Sequence, residues 1–382
     1  MPATSTTANS RHIAHEALGS NMVTRIEETP LKILIASRSF YPALGGAEVN
    51  CEILARQFRG LGCEVKVVTR TSGGSLASDG REFPFEVIRN PSRRELWKHV
   101  GWCDVYLHNG MSLREAWPLA VTRRPWVVRH LTWLDHGGSG SWKARLALGS
   151  KRALLRFANS IAISRAVADH VNGAVVIPNP YRDGIFRLIP EVGRDKDLVF
   201  VGRLVGDKGL DVLLQALVVL KARGLAPGLT VIGRGPDEEQ LRALATALGI
   251  SEQVTFCGPR EGEALARRLN EHQILVVPSR WKEPFGVVAL EGIACGCVVV
   301  ATKGGGLGDA VGPCGVLVAN DDVDDLARGL ELALTSASTQ AACRDAAERH
   351  LQQHRAEVVA GRYLDVLRAA VRRRRLVDDV SR

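Results

Sequence analysis

The chain alternates short apolar runs with longer stretches whose apolar positions recur at helical spacing. Leu31–Ala36, Cys63–Thr69, Phe85–Arg89, Val105–Asn109, Trp126–His130, Ser160–Ile163 and Ala174–Ile177 form a first series, most of them rich in β-branched residues. Consecutive apolar positions over so few residues predict strands covered on both faces. Ala47 to about Arg59 predicts the first helix. A second series runs Leu198–Val201, Thr230–Ile232, Val254–Gly258, Ile274–Val277, Val298–Ala301 and Gly315–Val318. Its helices are predicted over Leu210–Arg223, Asp237–Leu248, Val287–Ala294, Val323–Leu334 and about Thr339–Leu367, the last with a break. Such alternation predicts parallel sheets with helices on both faces. Between the series, Ile177-Pro178-Asn179-Pro180-Tyr181 through Asp195 is irregular and polar, which predicts a hinge.

Length agrees with two domains, since 382 residues exceed one ordinary core. Residues 1–30 are expected to be a disordered lead-in, 31–180 a first domain, 181–354 a second, and 355–382 a last helix with a basic tail. The lead-in lacks the apolar core of a signal peptide, and no apolar run is long enough to span a bilayer. The eight cysteines form no C-x2-C pair and mostly sit in apolar segments, which predicts packed thiols in a reducing compartment rather than disulfides or zinc. A cytoplasmic protein is therefore expected. The net charge of +9 is partly local, with a run at Arg372–Arg375 and pairs at Arg93-Arg94, Arg123-Arg124 and Arg267-Arg268. No recognition motif accompanies it, so nucleic acid is not an expected partner. Solvated helix faces and diphosphate binding account for the charge. An anionic membrane surface is the other reading, with the protein peripheral at the inner face.

Candidate chemistry gathers at strand ends. After Val277, the loop Ser279–Pro284 carries Trp281, Lys282 and Glu283, and Phe285-Gly286 leads into the helix at Val287. The first amides of that helix have no intrahelical partner, so an anion site is expected at the carboxyl end of a strand. Glu283 and Glu291 stand with seven residues between them. Carboxylates accept hydrogen bonds from vicinal hydroxyls, which a phosphate does not offer. Amides for phosphate together with acids for hydroxyls describe a nucleotide sugar. The plainer reading is a surface loop glutamate and a solvated helix glutamate.

Arg203 and Lys208 flank a turn after Val201, near a helix start where positive charge is mildly unfavourable. Two cations there suit a diphosphate. Gly45-Gly46, at the mouth of the first strand, allows close backbone approach to a ligand. His130 ends its strand, where sites sit, although a lone histidine is more often structural. His108-Asn109-Gly110 and the loop of Trp133, Asp135, His136 and Gly137-Gly138 are either acceptor-facing groups or plain connections. Gly233-Arg234-Gly235 lacks the third glycine of a dinucleotide fingerprint.

The pattern Glu283-Pro284-Phe285-Gly286…Glu291-Gly292…Gly296 resembles the E-x7-E signature of the family 4, or "group 1", retaining glycosyltransferases. Gly45-Gly46-Ala47-Glu48, Gly202-Arg203-Leu204…Lys208-Gly209 and Ile177-Pro178-Asn179 fit the same family. The resemblance runs from about Lys32 to Tyr363 and implies the GT-B fold, two Rossmann-like domains facing across a cleft. It implies a last helix crossing back onto the first domain. By analogy Arg203 and Lys208 hold the donor's diphosphate, and Phe285, Gly286 and Val287 offer backbone amides. Glu291 takes the ribose hydroxyls, Glu283 the hydroxyls of the transferred sugar, Gly46 lies against phosphate and acceptor, and His130 touches the sugar. The implied reaction moves a hexose to a glycan or lipid-linked acceptor with retention, without a cofactor or a metal. Two departures stand out: Leu131 follows His130 where relatives often carry Asp, and Asp309 stands where they usually place a glutamate. The alternatives are another GT-B enzyme, an epimerase or a phosphorylase, and a non-catalytic nucleotide-sugar-binding protein.

Overall fold

The computed structural model describes residues 29–43, 45–73, 82–134 and 142–380. Nearly all of the predicted lead-in lies outside them. In the first half, β1 (Lys32–Ser37), β2 (Glu64–Thr69), β3 (Glu86–Arg89), β4 (Val105–Asn109), β5 (Trp126–His130), β6 (Asn159–Ala162) and β7 (Val175–Val176) form one sheet. Its order is β3-β2-β1-β4-β5-β6-β7, with every pairing parallel. In the second half, β8 (Lys196–Val201), β9 (Leu229–Ile232), β10 (Val254–Phe256), β11 (His272–Val277), β12 (Val298–Thr302) and β13 (Gly315–Val318) form another. Its order is β10-β9-β8-β11-β12-β13, again all parallel. Both sheets reverse their winding beside the first strand, at β1/β4 and at β8/β11. Ligands of open α/β sheets bind outside the carboxyl ends of strands at such reversals.

The central strands are fully buried along their apolar runs: Ile33 to Ala36, Leu198 to Phe200 and Val298 to Ala301 expose 3% or less, whereas the edge strands Val175–Val176 and Gly315–Val318 are only partly covered. Among the described residues, three helices of nine or more residues were not expected from the periodicity, Arg93–Trp102, Trp142–Leu155 and Gly262–Asn270, and neither were the short ones Leu113–Ala116, Arg165–Ala168 and Leu307–Val311. The first opens with a capping box, Ser92 accepting from the Glu95 amide while the Glu95 carboxylate accepts from Ser92. The predicted final helix with a break is two helices, Ala337–Gln352 and Ala356–Val380. The second runs well past Leu367 and includes the arginine run 372–375. Seven of the eight free cysteines are buried, and burial raises the Cys51, Cys103 and Cys297 thiols to about 12.

The helix Ala356–Val380 packs on the first sheet, its Val359, Ala360, Tyr363, Leu364 and Leu367 sharing a core with Ile33, Ile35, Leu54 and Phe58. Arg129, on β5 and fully buried, ties the same region together. Its guanidinium donates to Asn109 Oδ1 (2.7 Å) and Asn179 Oδ1 (2.6 Å), and lies 5.7 Å from the centre of the Tyr363 ring. A planar, weakly hydrated fork suits such a site better than an ammonium. The chain passes between the halves twice, and the two passages touch. Tyr181 N–H donates to the His354 carbonyl (3.3 Å) and Ala356 N–H to Asp183 Oδ2 (3.2 Å).

Leu367 is fully buried, and Leu367→Ala should cost about 2–5 kcal/mol of unfolding free energy. Urea denaturation checks this; a variant as stable as the parent would mean that the last helix is not part of the first core.

Candidate active site

Two strand-end loops of the second half are fastened to each other. After β8 the chain forms a 3-10 turn over Gly206–Lys208, then Gly209 at φ +68°, then the helix Leu210–Ala222. A Cβ on Gly209 would lie 2.0 Å from the Pro278 carbonyl oxygen, just past β11, so a side chain there is excluded by sterics as well as by φ. From the other loop, Trp281 N–H donates to the Asp207 carbonyl (3.1 Å). Arg280 bonds both oxygens of Asp211 (2.7 and 2.6 Å) and reaches Asp321 (2.5 Å). These contacts bring two of the candidates together, for the Lys208 ammonium contacts Glu283 Oε1 directly. The same oxygen accepts from Ser279 Oγ (3.0 Å). The pair is mostly buried, with 22% and 16% side-chain exposure, and Arg203 stands exposed at the start of the Lys208 loop.

The glycine run explains how Glu283 is held. At Gly305, φ +69°, a Cβ would meet the Glu283 carbonyl oxygen at 2.2 Å, and Gly306 N–H donates to that oxygen (2.7 Å). Gly286 caps the helix Val287–Ala294, and Val287 opens it. Phe285 is 2% exposed, its ring 5.7 Å from that of His354, so it can serve a ligand through its backbone alone. Glu291 lies further along the helix, its side chain 12% exposed and 3.7 Å from the Arg182 guanidinium. Burial raises its carboxyl from 4.5 to about 7, against the opposing pull of Arg182. Sequence reasoning missed Arg182 and Arg280. Arg182 is the cation that follows the two hinge prolines, and that position was the available signal.

In the first half, His130 ends β5 at 2% exposure, with Nε2 3.1 Å from Ser160 Oγ. Burial lowers its pKa to about 4, so the ring is neutral near pH 7. A cavity of about 930 Å³ opens at the ends of the first sheet's strands, lined by Ser37, Ala47, Glu48, Asn109, His130 and Trp133 among others. Gly46 starts the helix Gly46–Gly60, next to two of those lining residues. His108 is corrected: it is fully buried, accepts from Trp126 Nε1 (3.1 Å), and burial lowers it to about 4. It is a core residue with no face toward an acceptor. Its neighbour Asn109 reaches the cavity instead, bonded to Ser37 Oγ (3.0 Å). Asp135, His136 and Gly137-Gly138 lie outside the described residues. Among the described residues no three His, Cys, Asp or Glu side chains converge as a metal site.

The two halves meet at the site. Trp133 stands edge-on to Trp281 with centroids 5.8 Å apart, and Ser164 Oγ donates to the Pro284 carbonyl (2.7 Å). Asp309 Oδ2 accepts from Arg165 N–H (2.7 Å), which gives the departure at Asp309 a structural role across the cleft.

Residues 182–350 match the family model of the group 1 glycosyl transferases. A D-inositol 3-phosphate glycosyltransferase of Stackebrandtia nassauensis is 39% identical over 194 residues, 47% of this chain and 44% of that protein. One of Corynebacterium jeikeium is 44% identical over 146 residues, 36% and 35% of the two chains. The match thus spans less than half the length of these curated relatives. A glycosyltransferase from Rickettsia africae superposes with a TM-score of 0.74 at 16% identity, over 90% of this chain and 99% of that one. Anabaena HepE in complex with UDP-glucose gives 0.70 at 21%, over 89% and 100%. The fold is GT-B.

The raised Glu291 carboxyl fixes the sign of a pH effect. Between about 4.5 and 7 the folded chain holds a proton that the unfolded chain has released, so this group's contribution to stability falls as pH rises through that window. The stability of the parent minus that of Glu291→Gln should therefore decline from about pH 5 to 7 and then level. Urea unfolding at intervals of one pH unit checks it; a flat difference would mean that the carboxyl titrates normally.

Proposed function

We propose that this chain, similar over residues 182–350 to the group 1 glycosyl transferases, moves a sugar from a nucleoside-diphosphate donor to a hydroxyl acceptor. The contact of Lys208 with Glu283 between two fastened loops carries this reading. It sets a cation and a carboxylate at one point, with exposed Arg203 at the start of the Lys208 loop and the helix Val287–Ala294 following Glu283. The donor's diphosphate takes Lys208 and Arg203, and the amides at Phe285, Gly286 and Val287 complete its shell. Glu283, released from Lys208, accepts hydroxyls of the transferred sugar, and Glu291 those of the ribose. The Anabaena neighbour's complex with UDP-glucose supports a nucleotide sugar as the donor.

A sugar leaves its diphosphate with positive charge on the ring and negative charge growing on the phosphate. Cations placed at that phosphate by donor binding stabilise the growing negative charge and lower the barrier. No resident metal is needed for this in the reading. The acceptor enters the cavity of the first half, where neutral His130 offers the sugar a hydrogen bond. The departing phosphate oxygen takes the acceptor's proton on the same face, so the configuration is retained. Closure of the halves excludes water, which limits hydrolysis of the donor.

The chain also presents a surface suited to acidic lipid. The helix Trp142–Leu155 exposes Trp142 (70%) and Leu146 (64%), and Phe157 beyond it is 82% exposed. Arg145, Arg152 and Arg156 are exposed alongside, and no acidic residue occurs between Asp135 and Asp169. Aromatic and basic side chains in this mixture bind an anionic membrane face. A glycan carried on lipid would then meet the first half's cavity at the membrane. Among the described residues no helix is long and apolar enough to cross one.

A panel of nucleoside diphosphates and their sugars, read by thermal shift, tests the donor; saturation at a hundred times Kd adds about 2.7 kcal/mol. Arg203→Ala and Lys208→Ala should abolish transfer of a radiolabelled sugar. Glu283→Gln should lower turnover at least 100-fold, on the order of 2.7 kcal/mol, while leaving nucleotide affinity within a few-fold. Near-normal turnover in Glu283→Gln would sink its role, and product formed without acceptor would favour an epimerase.

A further inference from the structure

A second cavity, of about 530 Å³, adjoins the one at the ends of the first sheet and shares Arg70, Leu113 and Arg114 with it. Ser92 and Arg93 also line it, so three arginines border one hollow that, among the described residues, no carboxylate lines. Among the described residues, of the three only Arg70 has a carboxylate partner: its Nε donates to Glu115 Oε1 (2.7 Å), a side chain buried at 4% exposure. Arg93 lies over the Trp117 ring, 5.5 Å from its centre, and both Arg93 and Arg114 are exposed. Ser92 is already used as a helix cap, and the nearby Glu95 carboxylate is bonded to the Ser92 amide. Three like charges gathered around one described counter-ion repel, and a planar fork matches a phosphate oxygen pair. The three arginines follow β2, β3 and β4, the strand ends at which an open sheet takes its ligands.

We propose that Arg70, Arg93 and Arg114 form an anion subsite for a phosphate group carried by the acceptor. This rests on the first half being the acceptor side. The acceptor's hydroxyl end points toward His130 and the cleft, while its phosphate is anchored in the side cavity. An acceptor of this class is a sugar or polyol bearing a phosphomonoester, or a lipid whose headgroup presents one.

Isothermal titration of the whole chain with glucose 6-phosphate, inorganic phosphate and glucose tests the subsite independently of any nucleotide. Glucose 6-phosphate should bind at least tenfold more tightly than glucose. The double variant Arg93→Ala/Arg114→Ala should weaken glucose 6-phosphate at least tenfold and leave UDP binding within twofold. Both side chains are exposed, so the variant keeps its fold, and an unchanged melting temperature verifies this. Trp117 emission should respond to phosphate in the parent and lose the response in Trp117→Phe. Vesicles of phosphatidic acid in phosphatidylcholine that bind where glucose 6-phosphate does not, and lose binding in the double variant, would place the phosphate on a lipid. Equal binding of glucose and glucose 6-phosphate without vesicle binding, or a double variant that binds phosphate like the parent, would overturn the proposal. UDP that fails to bind while phosphate does would instead remove the donor reading and leave the subsite standing.

Discussion

A missing side chain holds the second half's site together. At Gly209 the backbone of one strand-end loop passes so close to the Pro278 carbonyl that a methyl group would overlap the oxygen. That approach allows Trp281 to bond Asp207, Arg280 to clamp Asp211, and Lys208 to reach Glu283. Gly305 does the same from the other side, against the Glu283 carbonyl. Glu283 is thus fixed by backbone packing on one side and by charge on the other. The arrangement has polar chemistry on its surface and a steric condition beneath it. Replacing either glycine would move the loops before it touched any charge.

The first half is organised around a different kind of contact. Arg129 is a buried cation whose two bonds described above go to amide oxygens, one on β4 and one in the hinge. A buried charge is costly unless its donors are met. Here Nη1 and Nη2 are met by segments far apart in the chain, with the ring of Tyr363 in the last helix against the guanidinium, while Nε has no hydrogen-bond partner among the described residues. One residue therefore couples the sheet, the hinge and the returning helix.

Much of this was legible in the sequence, and the reasons differ by element. The central strands showed because both faces are covered, so their residues are apolar in unbroken runs. Val105–Asn109, Trp126–His130 and Gly315–Val318 carry the bounds expected of them. The helix Arg93–Trp102 was missed although Ser92 and Glu95 spell a capping box, because its polar composition hides a narrow apolar stripe of Leu96 and Val100. Trp142–Leu155 was missed for the opposite reason: its Trp142 and Leu146 face outward, so periodicity does not point to a core. Charged partnerships were the least legible. Arg280 meets acids 69 and 41 residues away, and no local pattern announces either. His108 and His130 look alike on paper, each at or near a strand end. The indole of Trp126 claims the first and leaves the second beside the cavity.

The two passages between the halves, at Tyr181–Asp183 and His354–Ala356, lie against each other. Two bodies joined at adjacent points have one easy rotation, about the line through those points, while sliding and twisting strain the joint. The returning helix is bolted to the first half through Tyr363 and Leu367, so it swings with that half as a lever arm. Relative travel then grows with distance from the axis. The Trp133–Trp281 contact joins one half to the other and would part on opening, whereas the neighbourhood of Asn179, at the joint itself, would hardly change. An indole at either face of that contact is a natural gauge of how far the cleft stands open.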